Sequence, residues 1–432
     1  MNQAFRQAVI GMSVVSMLAG TAIAQPLTEV DKHIDAAARI AAGDPLLVDT
    51  YRTYYCMFAE DRLDLRTAAR QDTGRVPLTQ IMDDVWYIGS RYVGQFIFRS
   101  PQGFMVVDSL NNAAEAAQYT TPALTSLGIS AAQPLDSVYL THGHGDHDGG
   151  ATYLKNTYGA KTYLGSGDAT GKQYAPITID SAGTAPVGVV LGGRNVSLLP
   201  TPGHSNGSMS AVIPAMDGGR AVNVVVVGGS SMPNDIAGAR RYLASVERTY
   251  VLAKQTKAEA SMHPHPVFDG TLKNLERIQA VGKATPSPFT VGNDRILRGL
   301  AIYRACSAAW VAKLDASAVI PVWRTTSLQF LDSGPSPSKI SAKLTSTWGP
   351  VPHQEVQFSV GDTGATCVTT TNDQGIATCG SRMGPLRPNV DKVTVSFAGA
   401  SNSEYVDLGT ATTATARPDA LGPAAPRAAP TR

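Results

Sequence analysis

At 432 residues the chain exceeds one ordinary domain, and length alone suggests two or three. Its 36 basic and 34 acidic residues leave a formal charge of +2 and are interleaved along the chain. The basic stripe of a nucleic-acid or anionic-membrane surface is missing, so no nucleic-acid partner is expected.

The first 24 residues read as a secretory signal, with Arg6 ahead of a small, apolar run at 8–23 and Ala22-Ile23-Ala24 before Gln25. Gly11, Ser13, Ser16 and Gly20 break that run, which suits a cleaved signal better than an anchor. Gln25 in place of Cys removes the simple lipoprotein reading. No other stretch is apolar enough to span a bilayer, so a periplasmic or secreted protein without membrane insertion after cleavage is expected. Export would place Cys56, Cys306, Cys367 and Cys379 on an oxidising route. Four cysteines allow three connectivities, of which Cys56–Cys306 with Cys367–Cys379 is favoured.

A helix over 28–42, capped by Thr28, would stop at Gly43 and Pro45. Strands are expected at 84–88, 95–99 and 103–108, then a short helix at 122–127 ended by Gly128. A strand at 135–140 leads into a helix over 149–158 closed by Gly159. Further strands fall at 196–199, 208–213 and 221–227. A long helix follows from about 236 to 254, with Ile236, Ala239, Leu243, Val246, Tyr250 and Ala253 at helical spacing. Two more helices are expected at 269–281 and 293–314, each with an Asp or Asn at its cap. Composition changes near Ala316, and alternating strands at 340–344, 355–360, 365–370 and 392–397 replace helical patterning. The expected divisions are a signal at 1–24, a catalytic domain at 25–316, a β-domain at 325–412 and a disordered Ala/Pro-rich tail at 413–432.

The chemistry is concentrated in Thr141-His142-Gly143-His144-Gly145-Asp146-His147-Asp148, directly after the apolar run Val138-Tyr139-Leu140. Three imidazoles and a carboxylate within six residues are costly to a fold unless compensated, and a divalent metal is the usual compensation. Thr201-Pro202-Gly203-His204-Ser205 follows a second strand, and Met262-His263-Pro264-His265-Pro266 follows the long helix. Six of the eight histidines therefore fall at three places, each at the end of an element. A lone His-x-His is more often a surface feature; the full set in this order is not.

This pattern resembles the metallo-β-lactamase superfamily, whose signature is HxHxDH, then a TPGH-type loop, then a late His. The resemblance covers roughly 83–314 and implies an α/β fold, an αββα sandwich with two zinc ions at one edge of its sheets. Mapped by motif, His142, His144 and His204 would hold the first zinc, and Asp146, His147 and His265 the second. His265 is preferred to His263 because Pro266-Val267-Phe268-Asp269-Gly270 looks like the family's continuation. Ser230 follows Val227-Gly228-Gly229, where superfamily esterases carry a bridging Asp and some lactamases Cys. That departure makes the site similar to the cysteine-free β-lactamase subclass, with Ser230 holding a water or a substrate carboxylate, or serving only as a turn residue. Asp108 ends a strand where the family has an acid supporting a metal His; it could equally cap a turn.

The resemblance implies a hydrolase in which zinc-activated hydroxide, oriented by Asp146, opens a cyclic amide in a small-molecule substrate, a β-lactam first of all. A lactonase or esterase is the alternative within enzymes, and an iron-dependent dioxygenase a more distant one. The segments Gly364-Ala365-Thr366-Cys367 and Asp373-Gln374-Gly375-Ile376-Ala377-Thr378-Cys379 look like bacterial Ig-like modules. A rival of another class is thus a surface-binding protein acting through that module on a surface or glycan.

Overall fold

The computed structural model describes residues 27–417 except 332–333, 337–338, 362 and 380–382. The expected signal at 1–24 and the stretch from 418 onward lie outside the described residues.

The first sheet runs in chain order: β1 (Arg75–Met82), β2 (Val85–Ser90), β3 (Gly94–Ser100), β4 (Gly103–Val107), β5 (Leu135–Tyr139), β6 (Lys161–Gly165) and β7 (Ile177–Ile179). β1 to β4 form an antiparallel meander, whereas β4 to β7 pair in parallel. The second sheet holds β8 (Val187–Leu191), β9 (Arg194–Pro200), β10 (Met209–Asp217), β11 (Arg220–Val226) and β12 (Ala260–Met262), again each beside the next.

Side chains alternate across a strand, and in the central strands both faces are apolar because both are covered. Tyr87, Phe96, Phe98, Met105 and Val107 meet Leu198, Met209, Ala211, Val224 and Val226 between the sheets. Their neighbours Trp86, Ile88, Ile97, Phe104 and Val106 face the other way, against Leu124 of helix Thr121–Ser126 and Leu154 of helix Ala151–Tyr158. Beyond the second sheet, Leu199, Val212, Val225 and Val227 pack against Ile40, Val246 and Leu300. Those three belong to helices Glu29–Ala41, Ile236–Gln255 and Asn293–Leu314. The layers are therefore α, β, β, α. Each buried Leu, Ile or Val contributes about 1.5–3 kcal/mol, so the covering helices are integral to the sandwich.

Thr28 caps the first helix, accepting from the Asp31 amide while Asp31 accepts from the Thr28 amide. Cys56 and Cys306 are bonded, joining the turn Thr53–Cys56 to helix Asn293–Leu314. Tyr55 stacks on Tyr303 beside that bond at 3.8 Å between centroids. The expected side-chain caps at 269 and 293 are corrected: Gly270 and Gly292 occupy the cap positions, both with positive φ. Asp269 instead accepts from Ser261 Oγ at 2.6 Å and the Thr271 amide at 3.0 Å, and Asn293 donates to the carbonyls of Ala253 and Ala258. The pattern assigned nothing to 45–82, where the structure has helical turns from Pro45 to Cys56, helix Leu63–Gln71 and β1.

The C-terminal part is all-β. Its strands are β13 (Val322–Arg324), β14 (Thr326–Phe330), β15 (Ser341–Ser346), β16 (Gly349–Pro350), β17 (Glu355–Val360), β18 (Thr366–Thr370), β19 (Ile376–Thr378), β20 (Lys392–Ser401) and β21 (Tyr405–Thr415). One sheet has the order β13-β21-β20-β17-β18; in the other, β15 pairs with β14, β16 and β19. Leu344, Phe358, Val395 and Phe397 form the core, with the Cys367–Cys379 bond beside them. Both expected boundaries shift outward, because β13 pairs with β21 from Val322, before 325, and β21 continues to Thr415, past 412. Trp323 joins the two parts: the Arg304 guanidinium lies 4.9 Å over its ring and Tyr250 meets its edge at 5.0 Å.

Candidate metal centre

Strands β4 and β5 pair in parallel, with Val107 opposite Tyr139, so both chains leave the sheet at the same edge. Asp108 leaves β4 with φ +61°, a left-handed conformation that a non-glycine residue holds only when its surroundings fix it. The surroundings do. Its Oδ1 accepts the Thr141 amide at 2.7 Å, and its Oδ2 accepts Thr141 Oγ1 at 2.9 Å and pairs with His147 Nδ1 at 2.6 Å. Asp108 is fully buried, and the loop after β5 is thereby folded over a single carboxylate.

The six residues singled out by motif come together as two groups, His142, His144 and His204, and Asp146, His147 and His265. Within each group the candidate ligand atoms lie within 4.8 Å of one another. In the first, His204 Nε2 is 3.1 Å from both His142 Nε2 and His144 Nδ1. In the second, His147 Nε2 is 3.1 Å from His265 Nε2, and Asp146 Oδ2 lies 3.7 Å and 3.5 Å from those atoms.

The partners on the outer side of each ring decide what faces inward. The Ser231 carbonyl can only accept, so His204 carries its proton on Nδ1, at 2.7 Å. The Tyr92 carbonyl does the same for His265 at 2.8 Å. Thr141 Oγ1 donates to Asp108 and so accepts from His142 Nδ1 at 3.1 Å, while Asp108 takes His147 Nδ1–H directly. When neutral, all four rings present a bare Nε2 inward. Lone pairs facing each other at 3.1 Å repel unless a cation lies between them, so this donor set fits divalent metal ions, with imidazole nitrogen and carboxylate oxygen suited to zinc.

Charge follows the same division. Burial, then the neighbouring His147, His204 and His144, holds the His142 pKa well below its usual value. Burial brings His204 down to about 4, against the Ser231 carbonyl, and His265 down to about 3, with His147 adding to the effect. Burial pushes His147 down too, but the Asp108 carboxylate, with Asp146 and Asp148 adding to it, outweighs burial and the net shift is upward. For Asp146, burial raises the pKa while His147 and His265 together bring it below the usual value.

Ser230 is buried, but the contacts of this corner are made by backbone: its carbonyl accepts from Tyr242 Oη at 3.0 Å, and the next carbonyl holds His204. Gly229 has φ +83°, and a Cβ there would lie 2.6 Å from the His204 ring, so no side chain fits beneath that imidazole. His263 is not among the six. It is fully buried, stacks on Phe268, and its Nδ1 accepts the His265 amide at 2.9 Å. Asp148 binds Tyr174 Oη at 2.7 Å and pairs with Lys172.

Asp168 was not anticipated. Its Oδ2 accepts the Gly143 amide at 2.8 Å and Ser205 Oγ at 2.6 Å, and its Oδ1 accepts the Gly207 amide at 2.8 Å. One carboxylate thus ties the loop carrying His142 and His144 to the loop carrying His204. Nothing in Gly165-Ser166-Gly167-Asp168 marks it as such, since its partners lie far away in sequence.

Residues 93–217 match the model of the metallo-beta-lactamase superfamily. The chain is 37% identical over 95 residues to the uncharacterized protein YobT of Bacillus subtilis (strain 168), covering 18% of this chain and 41% of YobT, less than half of that relative's length. Similar solved structures include BJP-1, a subclass B3 metallo-beta-lactamase of Bradyrhizobium japonicum (22% identity, 54% of this chain, 92% of that one, TM-score 0.43). Another is a metallo-beta-lactamase of Cronobacter sakazakii (22% identity, 58% of this chain, 98% of that one, TM-score 0.45). The segment similar to the metallo-beta-lactamase superfamily contains His142, His144, Asp146, His147 and His204, and His265 joins them from beyond it.

Proposed function

We propose that this protein is an exported di-zinc hydrolase that opens a cyclic amide, a β-lactam being the first substrate to test. The observation that carries the reading is the convergence of four inward Nε2 atoms and one carboxylate, each ring fixed from behind. His142, His144 and His204 would hold one ion, and Asp146, His147 and His265 the other. Two zinc ions there would supply Lewis acidity, giving hydroxide at neutral pH and polarising a carbonyl. The side chains do the rest. Asp146, at the inner edge of the second group, has a carboxylate oxygen to orient the nucleophile and take its proton. Asp108 fixes the rings of His142 and His147, so that neither must reorient during turnover. The match of residues 93–217 to the metallo-beta-lactamase superfamily model supports the choice of first substrate. The two disulfides fit an oxidising compartment and hence export. We further read the C-terminal β-part as an Ig-like module that tethers or targets the enzyme.

The test is turnover of nitrocefin, a chromogenic cephalosporin, by full-length zinc-loaded protein. Activity should fall to background in His204→Ala; wild-type turnover no greater than that of the variant removes the lactam reading. A panel of lactones and esters run alongside separates an esterase from an inactive protein.

A further inference from the structure

Helix Leu63–Gln71 fully buries none of its side chains, yet it stands next to the metal centre. Arg70 Nε donates to Tyr92 Oη at 3.2 Å. The Tyr92 ring packs on the His265 imidazole with centroids 4.6 Å apart, and its carbonyl fixes that same imidazole. Arg66 and Arg70 stand four residues apart and so share one face of the helix, with Arg62 at its N-cap. Arg62 is answered by Asp64 at 3.1 Å. Asp72, just past the helix, is taken by Arg91 at 2.7 Å, as is Glu276 at 2.6 Å. Among the described residues, Arg66 and Arg70 have no carboxylate within ion-pair distance.

Like charges one turn apart on a helix repel and destabilise it. Partial burial, then the charge of Arg70, holds the Arg66 pKa below its ordinary value, with Tyr92 acting in the opposite direction. The local sequence thus retains two uncompensated guanidiniums against the aromatic residue that braces a candidate ligand. Two forks of N–H donors one helical turn apart match a planar carboxylate.

We propose that Arg66 and Arg70 form the subsite for a carboxylate on the substrate, with Tyr92 setting its place relative to the metal centre. The inference rests on the hydrolase reading and narrows it to anionic substrates. The carboxylate docks on the helix while the scissile carbonyl lies over His265 and Asp146. The Tyr92 hydroxyl, which accepts from Arg70, keeps its own hydrogen to donate to the same anion.

The experiment compares a cephalosporin free acid with its methyl ester, using zinc-loaded full-length wild type, Arg66→Ala/Arg70→Ala and Arg66→Lys/Arg70→Lys. In the alanine variant KM for the acid should rise about tenfold while kcat stays within about twofold, the pattern of lost charge-assisted binding. The ester should be unaffected, the zinc content unchanged, and the lysine variant should recover part of the loss. An unchanged KM for the acid, or an equal rise for acid and ester, overturns the proposal. If the wild type turns over neither compound, the lactam reading fails by itself, and the subsite is then read from calorimetric binding of the two compounds. Preference for the acid that disappears in the alanine variant sustains the subsite; equal affinities in both proteins overturn it.

Discussion

His142, His144 and His204 meet at an open rim, where His144 is exposed and His204 half-buried, whereas Asp146, His147 and His265 meet over the fully buried Asp108. The first group is three imidazoles held through loops: His204 by a carbonyl, His142 by a hydroxyl, and both loops by Asp168. The second has a carboxylate as a member and another directly behind His147. A cation in the second group therefore meets negative charge that is already buried, while one in the first depends on loop order. The same side-chain chemistry is thus supported in two ways, by charge from beneath and by hydrogen bonds from the flank.

The largest break in that comparison is expected from Asp108→Asn. The amide can donate to His147 Nδ1, which moves that ring's proton to Nε2 and removes an inward lone pair. Zinc affinity of the second group should fall about 10–100-fold, as for other acids behind a ligand. The first group should lose less, because Asp108 reaches His142 only through the Thr141 hydroxyl. Zinc titration with a competing chromophoric chelator measures this as two affinities moving unequally; equal losses would show that Asp108 only stabilises the fold.

Asp168→Asn should act the other way round. An amide nitrogen set against either the Gly207 amide or the pair Gly143 N and Ser205 Oγ loosens the first group's loops. We expect about a tenfold loss of affinity at the first group, the scale of one hydrogen bond to a charged acceptor, with the second group unchanged. The same titration checks it, and a thermal melt without metal shows whether the fold itself has moved. The smallest effect is expected from Ser230→Ala. Its backbone carbonyl makes the recorded contact, so both affinities and kcat should stay within about twofold. A loss of tenfold or more in kcat would restore the hydroxyl to the reaction.

Legibility in the sequence followed locality. His142 to Asp148 is a contiguous string on one strand end, so its chemistry could be read directly, and the short apolar runs of β2 to β4 marked them as strands, which the structure covers on both faces. Thr28 was readable as a cap because the capping box closes within four residues. Asp269 looked the same but is used by Ser261 across the fold, leaving glycines with positive φ at the caps. Tyr92 and Ser231 brace the site through carbonyls, which every residue possesses and no side-chain pattern reveals. Helix Leu63–Gln71 has no fully buried side chain to set an apolar period, so its position beside the site emerged only from its contacts.

The distance along the chain between Asp108 and the loop it organises has a kinetic meaning. Thirty-three residues separate it from Thr141 and thirty-nine from His147, and the two come together only when β4 and β5 have paired in parallel. Parallel pairing must first meet the entropy of closing that crossover. Zinc offered to an unfolded or half-formed chain finds imidazoles without fixed tautomers, so it rewards the completed sandwich rather than seeding it. A refolding chain should gain its tight zinc affinity after its sheet signal, and a peptide cut to 135–150 should not reproduce that affinity.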